Sequence, residues 1–239
     1  MVEWNFFDLS NGNDDKLKII HLSDLHIRNI ASIHSEITAK INQKSPDLLV
    51  ITGDSVEKPA NLPLLYQFLN MIDKPIQKFA ILGNWEHKGN IDFTELKEIY
   101  AAHNCKLLIN ENQNITVNNK TVTVIGIDDF NMRKADFHRA TADIKPGETV
   151  IALTHCPQHR DIIETEGKDL KIDLVLSGHT HGGQINFFGY APIRPRGSGK
   201  YLKGWYKDRE PIMYVSKGVG TSNIPIRFGP KAEMVEYHI

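Results

Sequence analysis

The chain has 239 residues, of which 41% are hydrophobic and 24% are charged, and these values are typical of an ordinary globular protein. Its 28 lysines and arginines nearly balance its 29 aspartates and glutamates, so the chain as a whole has no strong attraction for nucleic acid. Two cysteines are too few for a disulfide framework.

The amino-terminal segment is acidic and polar, without the basic start and apolar run of a secretion signal. No stretch approaches the roughly 18 consecutive apolar residues that a membrane helix needs. We therefore expect a cytoplasmic protein, with peripheral contact at the inner face of the membrane as a further expectation.

From Lys16 onward, short apolar runs alternate with helical patterns. Strands are predicted at "LKIIHLS", "DLLVIT" and "KFAIL", and each is followed by a helix. The first of these helices is indicated by isoleucines at three- and four-residue spacing, Ile30, Ile33, Ile37 and Ile41. Alternation of this kind predicts crossover connections and a mainly parallel sheet.

After Lys106 the pattern changes to a hairpin around Asn118 and Asn119, because asparagine tolerates the positive φ of a tight turn. Further strands are predicted at "TVIALTH", "IDLVLSGH", "PIMYVSKG" and "AEMVEYHI", with a helix near 157–166. No repeat or linker interrupts the chain. We expect residues 1–239 to form one α/β domain with two packed sheets.

Five predicted strands end in polar motifs: "SDLHI", "TGDSV", "LGNWEH", "LTHCP" and "SGHTHGG". Ligands of α/β sheets bind at the carboxyl ends of the strands, so these motifs are expected to converge. The candidate metal ligands are Asp24, His26, Asp54, Asn84, His155, His179 and His181. Oxygen and imidazole donors without thiolates suit Mn²⁺, Fe²⁺ or Zn²⁺, and seven donors exceed the needs of one ion. They therefore predict a pair, about 3.5 to 4 Å apart if one carboxylate bridges.

The order of these motifs resembles the calcineurin-like metallophosphoesterase family, whose pattern runs Asp-x-His, Gly-Asp, Gly-Asn-His-Asp/Glu, His, Gly-His-x-His. The resemblance implies an α/β fold, a four-layer αββα sandwich of two mixed β-sheets flanked by helices, and a phosphohydrolase that uses a metal-bridging water as its nucleophile. It further implies that Asp24, His26, Asp54 and His181 hold one ion, with Asp54 bridging. The second ion would be held by Asn84, His155 and His179.

The closing segment "YVSKGVGTSNIPIRFGPKAEM" resembles the bacterial phosphodiesterase branch that includes UDP-2,3-diacylglucosamine pyrophosphohydrolases. This resemblance implies a phosphodiesterase or pyrophosphohydrolase that acts on a phosphorylated small molecule, a lipid-linked nucleotide or a phospholipid-type substrate. It also suggests Arg227 as a phosphate contact.

One residue departs from the family pattern, because Trp85 stands where the family has a histidine that donates a proton to the leaving group. Three interpretations remain open: an enzyme restricted to good leaving groups, an enzyme in which His87 replaces the lost acid, and a non-catalytic metal-binding interaction module. A metal-dependent nuclease is a further alternative, which the balanced charge disfavours. Trp85 itself is expected to stack on substrate or to cover the metals.

A basic segment from Arg194 to Arg209 follows the last metal-binding motif. We expect Arg194 and Arg196 to contact phosphate, and the aromatic residues of the segment to suit a membrane interface. The sequence does not indicate a protein partner. Five histidines outside the motifs are expected at the surface: His34, His103, His138, His159 and His238.

Overall fold

A computed structural model describes residues 2–10, 12, 16–147, 149–186, 191–192 and 194–239. Its twelve described strands form two six-stranded sheets. The first sheet has the order β1 (Glu3–Asp8), β12 (Glu233–His238), β2 (Lys18–Leu22), β3 (Leu48–Thr52), β4 (Gln77–Ile81) and β5 (Cys105–Leu108). Neighbouring strands are parallel except β12 and β2.

The second sheet has the order β10 (Gly204–Tyr206), β11 (Met213–Val215), β9 (Leu174–Ser177), β8 (Thr149–Leu153), β7 (Lys120–Gly126) and β6 (Glu111–Val117). Its two edge strands are antiparallel to their neighbours, and the four inner strands are parallel. The β6–β7 hairpin turns at Asn118 and Asn119, whose φ angles are 48° and 63°. Asparagine tolerates this left-handed region better than other non-glycine residues do.

The helices cover the outer faces of both sheets. They are α1 (Ser32–Lys44), α2 (Leu62–Asn70), α3 (Asn84–Lys88), α4 (Phe93–Ala101), α5 (Phe137–Ala140) and α6 (Arg160–Glu166). Apolar residues of α1, α2 and α4 pack in one cluster on the first sheet, and those of α5 and α6 pack in another on the second. A third cluster, with Val50, Phe79 and Leu176, fills the space between the sheets. The expected fold of two mixed sheets flanked by helices is confirmed.

Strand burial explains this arrangement. All five residues of β3, "LLVIT", are buried, because one face of the strand packs on the helices and the other packs on the second sheet. A strand covered on both faces reads as a continuous apolar run. The expectation of surface histidines is wrong for His34, His103 and His159, which are 6%, 1% and 2% exposed.

The parallel strands place the polar motifs at one edge of the molecule. β2, β3 and β4 are neighbours in the first sheet, and β8 and β9 are neighbours in the second. The residues that follow these five strands therefore meet where the two sheets lie side by side. Within the described residues, no helix is long and apolar enough to cross a bilayer.

Candidate metal centre

The side chains of six predicted ligands form two buried groups, each with its ligand atoms within 4.8 Å of one another. The first group holds Asp24, His26 and His181, and the second holds Asp54, His155 and His179. In the first group, Nε2 of His181 lies 3.2 Å from Nε2 of His26 and 3.4 Å from Oδ1 of Asp24. In the second, Nδ1 of His179 lies 3.2 Å from Nε2 of His155.

Asp54 lies between the two groups. Its Oδ2 atom is 3.2 Å from Nε2 of His155 and 3.6 Å from Nε2 of His26. Its Oδ1 atom accepts a hydrogen bond of 2.8 Å from the backbone N–H of Trp85, which holds the carboxylate in place. This is the position that a carboxylate shared by two ions would need.

The outer nitrogens of three histidines face oxygen atoms. Nδ1 of His26 lies 2.9 Å from a carboxylate oxygen of Glu57, and Nδ1 of His155 lies 2.7 Å from the carbonyl of Thr52. Nε2 of His179 lies 2.7 Å from the carbonyl of Arg196. For His155 and His179 this contact is a hydrogen bond, and an N–H donated to the carbonyl leaves the lone pair of the other nitrogen facing the site, as metal binding requires.

His181 is held differently, because Nη2 of Arg227 lies 3.2 Å from its Nδ1 atom. Burial, as the main cause, lowers the pKa of His181 to about 3, so the ring is neutral at physiological pH.

The seventh predicted ligand, Asn84, has a side-chain oxygen that is buried and has no hydrogen-bond partner. Such an orphaned acceptor costs free energy unless another group satisfies it, and a cation would do so. Burial acts to raise the pKa of Asp24 and of Asp54, but the imidazoles beside them outweigh it, and both pKa values lie below the usual value for aspartate. Both carboxylates are therefore ionised, and the residues present fit a pair of divalent ions.

The backbone at the site is strained. The φ angles of Asp24, His26, Asp54, His179 and His181 lie between 43° and 71°. Non-glycine residues rarely adopt this left-handed region, and each costs on the order of 1 kcal/mol or more. Strain of this kind is concentrated at functional sites, where the surrounding structure enforces it.

Glu86 positions the ligand-bearing loops, although it is not among the residues predicted from the sequence. Its carboxylate accepts hydrogen bonds from the backbone N–H groups of Asp54, Ser55, Val56 and Gly83, and so ties two ligand-bearing loops together. Burial is the main cause that raises its pKa to about 7, and the charge of Asp54 adds to the effect. Its place in the family's Gly-Asn-His-Asp/Glu pattern was the signal for it.

A cleft of about 510 Å³ opens over both groups. The predicted ligands that line the cleft are Asp54, Asn84, His179 and His181. The lining also carries five apolar side chains, which are Trp85, Met132, Ile185, Pro195 and Ile224. The lining is therefore suited to a substrate that carries both phosphate and apolar groups.

Trp85 is part of the cleft wall, and its indole N–H donates a hydrogen bond of 3.0 Å to the hydroxyl of Ser222. The ammonium of Lys88 lies 5.3 Å from the centroid of the Trp85 ring and also lines the cleft. The helix brings Lys88 above Trp85 because the two residues are three positions apart in α3. Lys88 is not among the substrate-binding residues predicted from the sequence.

His87 does not lie where a substitute acid is needed. It is absent from the cleft lining, and its Nε2 atom lies 2.7 Å from Oδ1 of Asp128. The carboxylate of Asp128 outweighs the effect of burial and raises the pKa of His87. His87 thus pairs with Asp128 outside the cleft lining, and protonation of the leaving group by His87 stays a prediction that this position does not favour.

The three arginines predicted to bind phosphate have different surroundings. Arg196 lines the cleft, whereas Arg194 is exposed and does not. Arg227 directs its N–H groups to the backbone carbonyls of Lys217, Gly218 and Gly220 as well as to His181. Its donors are largely used inside the protein, so Arg227 positions the loop and the ligand instead of presenting a free cation.

The aromatic residues of the basic segment pack against the body of the protein. Tyr201 is fully buried, and Trp205 and Tyr206 are half-buried against the core of the two sheets. Arg209 in the same segment forms ion pairs with Asp161 and Glu164. Burial removes Tyr201 from any interface, whereas an interfacial role for the half-buried Trp205 and Tyr206 stays a prediction.

Comparison with known proteins places the geometry in context. The family model described as calcineurin-like phosphoesterase matches residues 17–183. An uncharacterized metallophosphoesterase of Bacillus subtilis, YkoQ, is 31% identical over 94% of this chain and 84% of its own length. An uncharacterized metallophosphoesterase of Aquifex aeolicus is 31% identical over 89% of this chain and 80% of its own.

Solved structures show the same architecture at low sequence identity. A 5'-nucleotidase precursor from Thermus thermophilus superposes with a TM-score of 0.55 at 11% identity. The match covers 92% of this chain but 54% of the nucleotidase. At this identity the likeness concerns the fold alone.

Proposed function

The chain belongs to the calcineurin-like phosphoesterase family and is a hydrolase of phosphate esters, and from this premise we propose that it cleaves a phosphoanhydride bond of a lipid-linked molecule. One observation carries the proposal: residues of two metal-capable groups line a cleft that also carries a set of apolar side chains. A phosphate would meet the metal-capable groups, and an apolar substituent would meet the apolar side chains.

The residues present fit two divalent ions, with Mn²⁺, Fe²⁺ and Zn²⁺ as the proposed candidates. Bound there, such ions act as Lewis acids and lower the pKa of a coordinated water toward neutrality. Asp54 would be shared by both sites, and Asn84 would offer its orphaned oxygen to the second. Glu86 holds the loops of both residues in register through four backbone hydrogen bonds.

The bond that is cleaved follows from Trp85. An indole cannot protonate a departing oxygen, and among the described residues no other imidazole outside the predicted ligands lines the cleft. A leaving group that departs without a proton must be intrinsically stable as an anion. A phosphate monoester released from a phosphoanhydride meets this condition because its second pKa is about 6, whereas an alkoxide does not.

Two cations complete the cleft. Lys88 and Arg196 both line it, and neither forms an ion pair with another residue in the part of the chain that the structure describes. They are available to neutralise charge on a second phosphate group of the substrate. A substrate with two linked phosphates would use both the metal groups and these cations.

The two alternative functions have less support. A non-catalytic metal-binding module would use the same ligands, but membership of a phosphoesterase family favours turnover. A nuclease would draw on many phosphate contacts, and the chain carries a net charge of −1. Location in the cytoplasm stays a prediction from the sequence.

The test compares three substrates on protein reconstituted with Mn²⁺, Fe²⁺ or Zn²⁺. We expect close to two ions per chain by elemental analysis, hydrolysis of a nitrophenyl phosphodiester and of a nucleoside diphosphate lipid, and little hydrolysis of an alkyl phosphodiester. Chelation should abolish both activities. Protein that binds two ions but hydrolyses none of these substrates would contradict the proposal, as would equal rates on the alkyl and nitrophenyl esters.

A further inference from the structure

An apolar ridge lies beside the cleft, and we define it by Ile224, Ile226 and Phe228. These side chains are 49%, 57% and 54% exposed. The described residues contain five exposed large hydrophobic side chains, and three of them are in this five-residue stretch. Single exposed hydrophobics are ordinary, but a cluster of them marks an interaction surface.

The ridge is held in a defined conformation. The side-chain amide of Gln184 donates to the carbonyls of Ser222 and Ile224, at 3.1 and 2.9 Å, and its oxygen accepts from the backbone N–H of Ser222. Arg227 anchors the middle of the stretch to the carbonyls of Lys217 and Gly218. The exposure of the ridge is therefore built into the fold and does not arise from a loose loop.

The ridge is continuous with the active cleft. Ile224 lines the cleft, and the Trp85 indole is hydrogen-bonded to Ser222 at the start of the stretch. Arg227, between two ridge residues, contacts the predicted ligand His181. A partner that covers the ridge would thus lie at the mouth of the cleft.

Cations accompany the ridge at that mouth. Lys88 and Arg196 line the same cleft as Ile224, and the exposed Arg194 is two residues from Arg196. None of the three forms an ion pair with another described residue. Apolar side chains next to unpaired cations match the two layers of an anionic bilayer, in which phosphates lie above hydrocarbon.

The size of the ridge argues against a protein partner. Three half-exposed side chains offer on the order of 300 Å², since a large aromatic side chain buries about 150 to 250 Å² when fully covered. A stable protein interface needs about 800 Å² from each partner. A bilayer requires no matching surface and is satisfied by a few inserted side chains.

We propose that this ridge inserts into the surface of an anionic bilayer, with Lys88, Arg194 and Arg196 at the level of the lipid phosphates. The cleft then opens toward the membrane, and a lipid-linked substrate reaches the metal groups without leaving the bilayer. The inference rests on the proposed function only for the identity of the substrate. Membrane attachment itself is a separate property of the surface.

The experiment measures sedimentation of the metal-loaded protein with vesicles of phosphatidylcholine, with and without phosphatidylglycerol. We expect binding that requires phosphatidylglycerol and weakens with salt. Ile226→Ser combined with Phe228→Ser should weaken it on the order of a hundredfold, because each inserted CH₂ group contributes about fourfold. Ile226→Trp should bind several-fold more tightly, since indole favours the interface, and a misfolded protein would not do so.

Two controls separate this proposal from the proposed function. Tyr66→Ser removes a side chain that is 48% exposed on α2 and does not line the cleft, and it should leave vesicle binding unchanged. Turnover of a soluble nitrophenyl phosphodiester should be unchanged in the Ile226 and Phe228 variants, because neither residue lines the cleft. Vesicle binding is measured without hydrolysis, so it can fail while the activity stands.

Three outcomes would overturn the proposal. The first is that the double serine variant sediments with vesicles as well as the unaltered protein does. The second is that Tyr66→Ser weakens binding as much as the double variant. The third is that sedimentation velocity shows a dimer which the double variant dissociates, since the ridge would then be an interface between two copies of the chain.

Discussion

Adding one methyl group at Gly83 should disable the enzyme by displacing a ligand. A Cβ atom there would lie 2.3 Å from Oδ1 and 2.6 Å from the backbone nitrogen of Asp54. Ordinary contact begins at 3.4 Å, so the carboxylate would have to move by about 1 Å. The φ angle of Gly83 is −111°, which alanine adopts freely, so the effect is steric and not conformational.

We expect turnover of a nitrophenyl phosphodiester by Gly83→Ala to fall on the order of a hundredfold, because a 1 Å misplacement of a reacting group has about this effect. Overpacking should also lower the free energy of unfolding by about 2 kcal/mol. Turnover, metal content and urea unfolding are measured on the same preparation. A variant that keeps two ions and at least half of its activity would refute the reasoning.

A matched control is Gly204→Ala, in the second sheet. Its Cβ atom would have no neighbour within 4 Å, although its φ of 77° disfavours alanine. It should therefore lose about 1 kcal/mol of stability and no activity. If both variants lose activity equally, the general effect of adding a side chain, and not contact with Asp54, is responsible.

Three further predictions concern single side chains. Asp54→Asn should reduce turnover on the order of a hundredfold or more and lower the metal content, because the Oδ2 atom of Asp54 faces both groups of ligands. If Asp54→Asn stays active while His26→Ala is inactive, Asp54 does not hold a bridging position. Trp85→His should raise the hydrolysis rate of alkyl phosphodiesters more than that of nitrophenyl esters, since poor leaving groups depend most on protonation. Equal gains on both substrates would show that Trp85 does not restrict the enzyme to good leaving groups. His159→Phe tests acid stability: burial lowers the folded-state pKa of His159 from 6.5 to about 4, so the unfolded state takes up a proton between these pH values that the folded state does not. The free energy of unfolding of the unaltered protein should therefore fall as the pH is lowered from 6.5 to about 4. In urea unfolding at pH 4, His159→Phe should lose about 3 kcal/mol less than the unaltered protein. Identical pH profiles of the two proteins would contradict the lowered pKa of His159.

The sequence alone indicated the architecture and the ligand set. Short apolar runs indicate strands, and apolar residues at three- and four-residue spacing indicate helices. Both are local patterns in the sequence, so their alternation predicted parallel strands joined by helices without any knowledge of tertiary contacts. Because parallel strands carry their carboxyl ends to one edge, the motifs after β2, β3, β4, β8 and β9 were expected to meet, and their side chains do. Gly83 belongs to one of these motifs, and Asp54 of another motif lies against it.

The sequence did not reveal how far each side chain is buried. Trp205 and Tyr206 lie among basic residues, yet they are half-buried because β10 pairs with β11 at the edge of the second sheet, and Tyr201 before them is fully buried. Conversely, Ile224 and Ile226 are apolar but exposed. Burial depends on which surfaces distant segments present to each other, and apolar residues alone do not determine it.

Only the tertiary structure decided the direction of the polar side chains. His87 and Lys88 are adjacent in α3, and one step along a helix rotates the side-chain direction by about 100°. His87 therefore contacts Asp128, whereas Lys88 lines the cleft. Arg227 resembled a phosphate contact, but the carbonyls around it take its donors. A motif specifies which chemical groups are present, whereas the folded chain determines which of them have donors and acceptors left for a ligand.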